Sequence, residues 1–452
     1  MNHSHPSYYL VIGLGKSGLS MANFLHSQGM DVVATDIDPS KKEAADQLSR
    51  LGVETQIGFH DQNTFDRAAC LVPSPGIPPT LPYIRDAVEK GVPVKSELDI
   101  FYQHNRLPVI AITGTNGKTT TTSLMGEMLK GCGCHPFVCG NIGTPLVELF
   151  MTTTPFDIVV AEVSSFQIDI SNRFRPDVGV LLNISEDHLD RYIDYSAYED
   201  AKWRLFQYQT DTDTAVINFD MENSIHRSSQ LAATVMAFTS GSADSPKIHA
   251  RIRPDEIELT TRAGLTRIDT RPLTALPGRH NRENIAAALL AGLAVNADLN
   301  GLQTGLKRFR PLSHRIERVT EINGISFFND SKGTNADAVN RALQSFNEPV
   351  ILILGGRAKG TDFSALKEEV ASGVKAVIAI GETKRQIIDT FDSICPVKPA
   401  DTMKQAVQTA FDSADTGDVV LLSPACSSFD MYDNYVCRGE DFTRLVLEMK
   451  KV

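Results

Sequence analysis

Five residues of unbroken strand character, Val109-Ile110-Ala111-Ile112-Thr113, run straight into Gly114-Thr115-Asn116-Gly117-Lys118-Thr119 and then into a helical stretch. A strand that passes through a glycine turn into a helix marks a parallel α/β unit, because a crossover must carry the chain back before the next strand can pair in the same direction. The turn also has a chemical reading. Glycines let backbone N–H groups converge on anionic oxygens, the helix N-terminus adds positive potential, Lys118 supplies an ammonium and the Thr119 hydroxyl can ligate magnesium. The usual P-loop spacing would need a further glycine at Ile112, so this is a shortened variant. Residues 114–119 thus predict an ATP site.

A chain of 452 residues exceeds one hydrophobic core, and roughly 150 residues per domain gives about three domains. Before the loop, strands are expected at Tyr8 to Ile12, Val32 to Thr35 and Ala69 to Val72, with a helix from Ser17 to Gln28. After it, strands are expected at Ile158 to Glu162 and Val178 to Asn183, then a polar stretch of β-like spacing from Asp211 to Ile268 and a helix from Asn281 to Val295. Past Pro311 the α/β pattern restarts with Ile325 to Asn329, Val350 to Leu354, Val374 to Ile380 and Val419 to Ser423. The expected domains are 1–97, 98–311 and 312–452.

Net charge and the apolar pattern exclude several function classes. A formal charge of -11 repels nucleic acid and anionic lipid, so a small-molecule substrate is expected. Met1 to Tyr9 lacks a basic segment followed by an apolar run, and no stretch approaches the roughly 18 apolar residues of a membrane span, so the expected location is the cytoplasm. The seven cysteines are odd in number and Cys132, Cys134 and Cys139 lack zinc-ligand spacing, which reads as reduced thiols.

Further motifs surround the loop. Glu162 ends an apolar strand, where a carboxylate at the carboxyl edge of a parallel sheet would face the phosphates and suit magnesium. His188, in Asp187-His188-Leu189-Asp190, follows another strand and could ligate a second cation, although a lone histidine is ordinarily a surface or hydrogen-bonding residue. Lys202, Asp330, Lys332, Lys359 and Ser428 have bland surface readings when taken singly. Gly13-Leu14-Gly15-Lys16-Ser17-Gly18, with Asp36 at the end of the second strand, has the dinucleotide fingerprint, which alone would suggest a dehydrogenase. A glycine-rich first turn holds any nucleotide diphosphate equally well, so the ligand there stays open between a nicotinamide cofactor and a nucleotide-linked substrate.

With these residues the chain resembles the Mur ligases of peptidoglycan synthesis over essentially its whole length. Asn329-Asp330-Ser331-Lys332-Gly333-Thr334-Asn335 and Ser423-Pro424-Ala425-Cys426-Ser427-Ser428-Phe429-Asp430 resemble the D-glutamate-adding members, and the Asp-Asn-Pro-Arg segment of the diaminopimelate-adding ones is absent. The resemblance implies an N-terminal Rossmann-like domain for UDP, a central P-loop ATPase-type domain and a C-terminal Rossmann-like domain for the amino acid. It implies UDP-sugar contacts from Gly15, Ser17, Asp36, Ser74 and Asn141. ATP would be held by Gly114, Thr115, Asn116, Gly117, Lys118 and Thr119, with Asn284, Arg315 and Asp330 on the nucleoside and γ-phosphate. Thr119 and Glu162 would hold one magnesium ion, and His188 with a carbamylated Lys202 a second. D-Glutamate would meet Lys332, Thr334, Lys359, Ser428, Phe429 and Tyr435. The implied reaction joins D-glutamate to UDP-N-acetylmuramoyl-L-alanine through an acyl phosphate, in a cytoplasmic monomer whose C-terminal domain closes over the central one. Phe429 and Tyr435 stand where Leu and Phe are expected, and Lys16 where a neutral residue is common.

Overall fold

A computed structural model describes residues 8–141, 143–187, 191–261, 264–273, 276, 278–358 and 360–450. The chain forms three successive α/β units, each built on its own sheet. The first sheet has four parallel strands in the order Glu54–Ile57, Val32–Asp36, Tyr9–Ile12, Cys70–Pro73, with the glycine turn leading into the helix Lys16–Ser27 at its carboxyl edge.

The second sheet has nine strands, with Val109–Thr113 between Ile158–Glu162 and Val178–Leu181. Strand alternation divides its core. Ile110 and Ile112 pack with Leu124, Met128, Ile285 and Leu289 from the helices Lys118–Gly131 and Arg279–Ala294, whereas Val109 and Ala111 pack with Phe101, Trp203 and Phe206 on the other face. Each fully buried Leu or Ile contributes roughly 1.5–3 kcal/mol, so this two-sided core is what holds the carboxyl edge rigid. The polar stretch expected to be β-like becomes five strands: Thr214–Asn218, Thr234–Thr239 and Ile248–Ile252 extend the parallel sheet, and Glu256–Thr261 and Gly264–Asp269 close it antiparallel.

The third sheet has six strands, with Val419–Leu422 central between Ile325–Asn329 and Val350–Gly355. Its antiparallel edge strand Glu317–Ile322 carried no expectation, because Val319 and Ile322 are its only apolar residues and a bulge between Arg318 and Thr320 breaks the alternation. No helix among the described residues is long and apolar enough to cross a membrane.

Candidate active site

The phosphate loop is clamped by its neighbour strand. Thr115 N donates to Asn183 O at 2.9 Å, Asn116 N to Asn183 Oδ1 at 2.8 Å, and Asn183 Nδ2 returns a bond to Asn116 O at 3.0 Å. Asn183 can reach because the strand ends at Leu181, two residues earlier than expected, freeing its side chain from the sheet alternation. Gly117 has φ +84°, and a Cβ there would lie 2.5 Å from Asn284 Oδ1, so the loop and the helix Arg279–Ala294 approach through a residue that must be glycine.

Three charged groups converge on this loop. Lys118 Nζ donates to Gly114 O and Thr115 O, both at 2.8 Å, and burial lowers its pKa against the opposing pull of Glu162 and Asp187. Lys202, 1% exposed in the last turn of Tyr195–Trp203, donates to Gly114 O at 3.0 Å and lies 4.5 Å from the Tyr198 ring centroid. Burial, then the charge of Lys118, pushes its pKa well below that of an ordinary lysine. Glu162 is 1% exposed; Oε1 accepts from Asn141 Nδ2 at 3.0 Å, and Oε2 is buried with no partner among the described residues. A bare carboxylate oxygen in a dry site costs several kcal/mol unless a cation meets it, so Glu162 fits a magnesium ligand. Among the described residues no three His, Cys, Asp or Glu side chains converge as a ready-made metal site, so Glu162 would depend on Thr119 and the bound phosphates to complete the ion's shell.

The C-terminal unit supplies the opposite wall. Arg315, Lys332 and Thr334 share with Lys118, Thr119, Glu162 and Lys202 a cleft of about 300 Å³. Asp330 accepts from Ser423 Oγ at 2.7 Å and Ile316 N at 3.3 Å, and its burial raises its pKa to about 7. A contiguous cavity of about 80 Å³ is lined by Gly117, Asn284, Arg315 and Asp330, where the nucleoside contacts were expected.

Other expected residues fall elsewhere or on other tasks. Asp36 ties the end of its strand to the glycine turn, accepting from Leu14 N at 2.6 Å and from Asp38 N at 2.8 Å, and Ser74 Oγ donates to Gly13 O at 2.8 Å. Gly15 is the N-cap and Ser17 the second residue of the helix Lys16–Ser27. Asn141, expected on the UDP-sugar, lines the phosphate cleft and donates to Glu162 Oε1. Lys16 Nζ reaches Gly143 O at 2.5 Å, tying the first glycine turn to the same central segment. Tyr435 places its ring centroid 4.0 Å from Lys332 Nζ, but buried Ser428 and half-exposed Phe429 do not line the cleft. His188 and Lys359 lie outside the described residues. The sequence reading missed Asn183, whose signal was its place just past a strand's carboxyl end.

Known families match the chain in each of its three units. Residues 7–96 match the profile of the Mur ligase MurD-like N-terminal domain, 112–292 that of the Mur ligase middle domain, and 314–426 that of the Mur ligase glutamate ligase domain. The chain belongs to the Mur ligase family. A protein of Desulfosudis oleivorans named UDP-N-acetylmuramoylalanine--D-glutamate ligase is 42% identical to this Mur ligase over 445 residues, 98% of this chain and 96% of that protein. One of the same name from Pelotomaculum thermopropionicum is 39% identical over 98% of both. At the level of fold, this Mur ligase is similar to the pseudomurein peptide ligase type C of Methanothermus fervidus, with a TM-score of 0.63 and 18% identity over 98% of this chain and 100% of that one. The UDP-N-acetylmuramate-alanine ligase of Thermotoga maritima gives 0.60 and 18% over the same shares.

Proposed function

We propose that this Mur ligase joins D-glutamate to UDP-N-acetylmuramoyl-L-alanine at the expense of ATP, a step of peptidoglycan precursor synthesis. The observation that carries the reading is the shared cleft, in which the phosphate loop faces Arg315, Lys332 and Thr334 of the C-terminal unit. The 42% and 39% identity to D-glutamate ligases, over nearly the whole chain, supports the choice of amino acid.

The loop amides and Lys118 hold and orient the triphosphate so that the substrate carboxylate attacks the γ-phosphorus in line, giving an acyl phosphate and ADP. The amine of D-glutamate, its carboxylates met by Lys332, Thr334 and Lys359, then attacks the acyl carbon and expels phosphate. Both steps build negative charge on the same phosphoryl oxygens, which Lys118 and Arg315 face. Magnesium bound by Thr119 and Glu162, and a second ion bound by His188 and the carbamate of Lys202, would neutralise that charge further. The low-pKa amine of Lys202 supports carbamylation, since only the uncharged form reacts with carbon dioxide. Closure of the C-terminal unit over the loop would keep water from the acyl phosphate. All three units of one chain supply the substrate contacts, which fits a cytoplasmic monomer using soluble nucleotides.

Release of phosphate from ATP, magnesium and UDP-N-acetylmuramoyl-L-alanine should depend on D-glutamate and not on L-glutamate, L-alanine or diaminopimelate. Release with another of these amino acids, or with none, would overturn the proposal.

A further inference from the structure

In a phosphate loop the backbone N–H groups do the binding, which leaves the side chain of Asn116 available for another task. That side chain crosses to the C-terminal unit. Asn116 Nδ2 donates to Asp337 Oδ2 at 2.7 Å and to Asn335 Oδ1 at 3.3 Å, and Asn335 Nδ2 returns a bond to Asn116 Oδ1 at 3.4 Å. The far side of the contact is braced. Arg341 Nε donates to the same Asp337 oxygen at 2.8 Å, and its Nη1 to Glu283 Oε2 at 3.3 Å, returning to the central unit through the helix Arg279–Ala294. Asn335 also donates to Asp187 at 3.1 Å and caps the helix Ala336–Leu343 through Ala338 N at 2.8 Å.

We infer that Asn116, Asn335, Asp337 and Arg341 form a latch that positions the C-terminal unit by gripping the phosphate loop itself. The physical consequence follows from chain continuity. Asn335 directly follows the segment bearing Lys332 and Thr334, so the loop that holds the triphosphate sets the distance to the groups that hold the amino acid. Asp337 is the pivot, because one carboxylate oxygen accepts from both the loop and the guanidinium. A charge-assisted hydrogen bond is about twice as strong as a neutral one, so its loss opens the latch more than loss of the amide pair would. These are positioning residues; none needs to touch a reacting atom.

This inference deepens the proposed function and rests on it. Asp337→Ala should raise the KM for D-glutamate about tenfold while the KM for UDP-N-acetylmuramoyl-L-alanine, bound at the opposite unit, stays within about twofold. Asp337→Asn keeps a neutral acceptor for Asn116 but loses the charge that holds Arg341, so its D-glutamate KM should fall between those of Asp337→Ala and the unaltered chain. Small-angle scattering with ADP and magnesium should give a larger radius of gyration for Asp337→Ala than for the unaltered chain. An unchanged D-glutamate KM, or all three KM values unchanged with only kcat reduced, would overturn the latch. If the unaltered chain releases no phosphate with D-glutamate, the functional proposal falls instead, and scattering alone decides: equal radii overturn the latch, and an expanded variant supports it.

Discussion

Gly140→Ala should cost both stability and catalysis, and the structure sets the size of each. Gly140 sits at φ +111°, at the end of the strand Pro136–Gly140, paired with Glu162. A Cβ there would lie 2.1 Å from Glu162 O and 2.9 Å from Glu162 N, against an ordinary C···O contact of roughly 3.3 Å. The strand bearing Glu162 is held by a neighbour on each side, so the edge strand that ends at Gly140 must part from it by about 1 Å. Left-handed strain of about 1–3 kcal/mol adds to an overpacking cost of about 1–3 kcal/mol. At about 2–4 °C per kcal/mol for a domain of this size, melting should fall by roughly 10 °C. The displaced strand end carries Asn141, which donates to Glu162 Oε1, and a misplacement of about 1 Å at a catalytic site lowers kcat on the order of 100-fold. Gly143→Ala is the control: its φ is +69°, but nothing lies within 4 Å of the added carbon, so only about 1 kcal/mol of strain is expected. Differential scanning fluorimetry and phosphate release read the two effects. Should Gly140→Ala melt within about 2 °C of Gly143→Ala and turn over at a similar rate, the close-approach argument is wrong.

Two further outcomes are expected. Lys202→Ala should lose activity by about 100-fold or more and regain part of it with added small carboxylates, which can stand where a carbamate would; failure of rescue across a range of such acids would refute the carbamate. Glu97 is buried and accepts from Leu146 N at 2.9 Å, and its burial raises its pKa from 4.5 to about 7. The folded state therefore holds that proton more tightly than the unfolded chain, and the stability it contributes is complete below pH 4.5 and lost as pH rises through about 7. Between pH 5 and 8 the melting temperature of the unaltered chain should fall relative to Glu97→Gln, in paired thermal scans; parallel curves would contradict the assignment.

Much of the site was legible because it is local. Val109 to Thr119 compress strand, glycine turn, lysine and hydroxyl into neighbouring residues, and the alternation of Ile110 and Ile112 with Val109 and Ala111 already marks a sheet covered on both faces. Asn183 and Asn141 were harder to read. Asn183 acts because a strand stops at Leu181, and boundaries shift by a residue or two under tertiary packing. Asn141 acts on Glu162 because Gly140 and Glu162 are register partners, and register is a property of the sheet.

The sequence by itself determined that three parallel α/β units would form and that one would bind phosphate, since helix-to-strand periodicity and a glycine turn at a helix start are written in consecutive residues. Only the tertiary structure decided that burial beside Lys118 lowers the pKa of Lys202, that Glu162 Oε2 has no hydrogen-bond partner among the described residues, and that Asp337 meets Asn116 across two units. Charge state and partner identity depend on how much water is excluded and on which distant segment excludes it, and neither quantity has a sequence period.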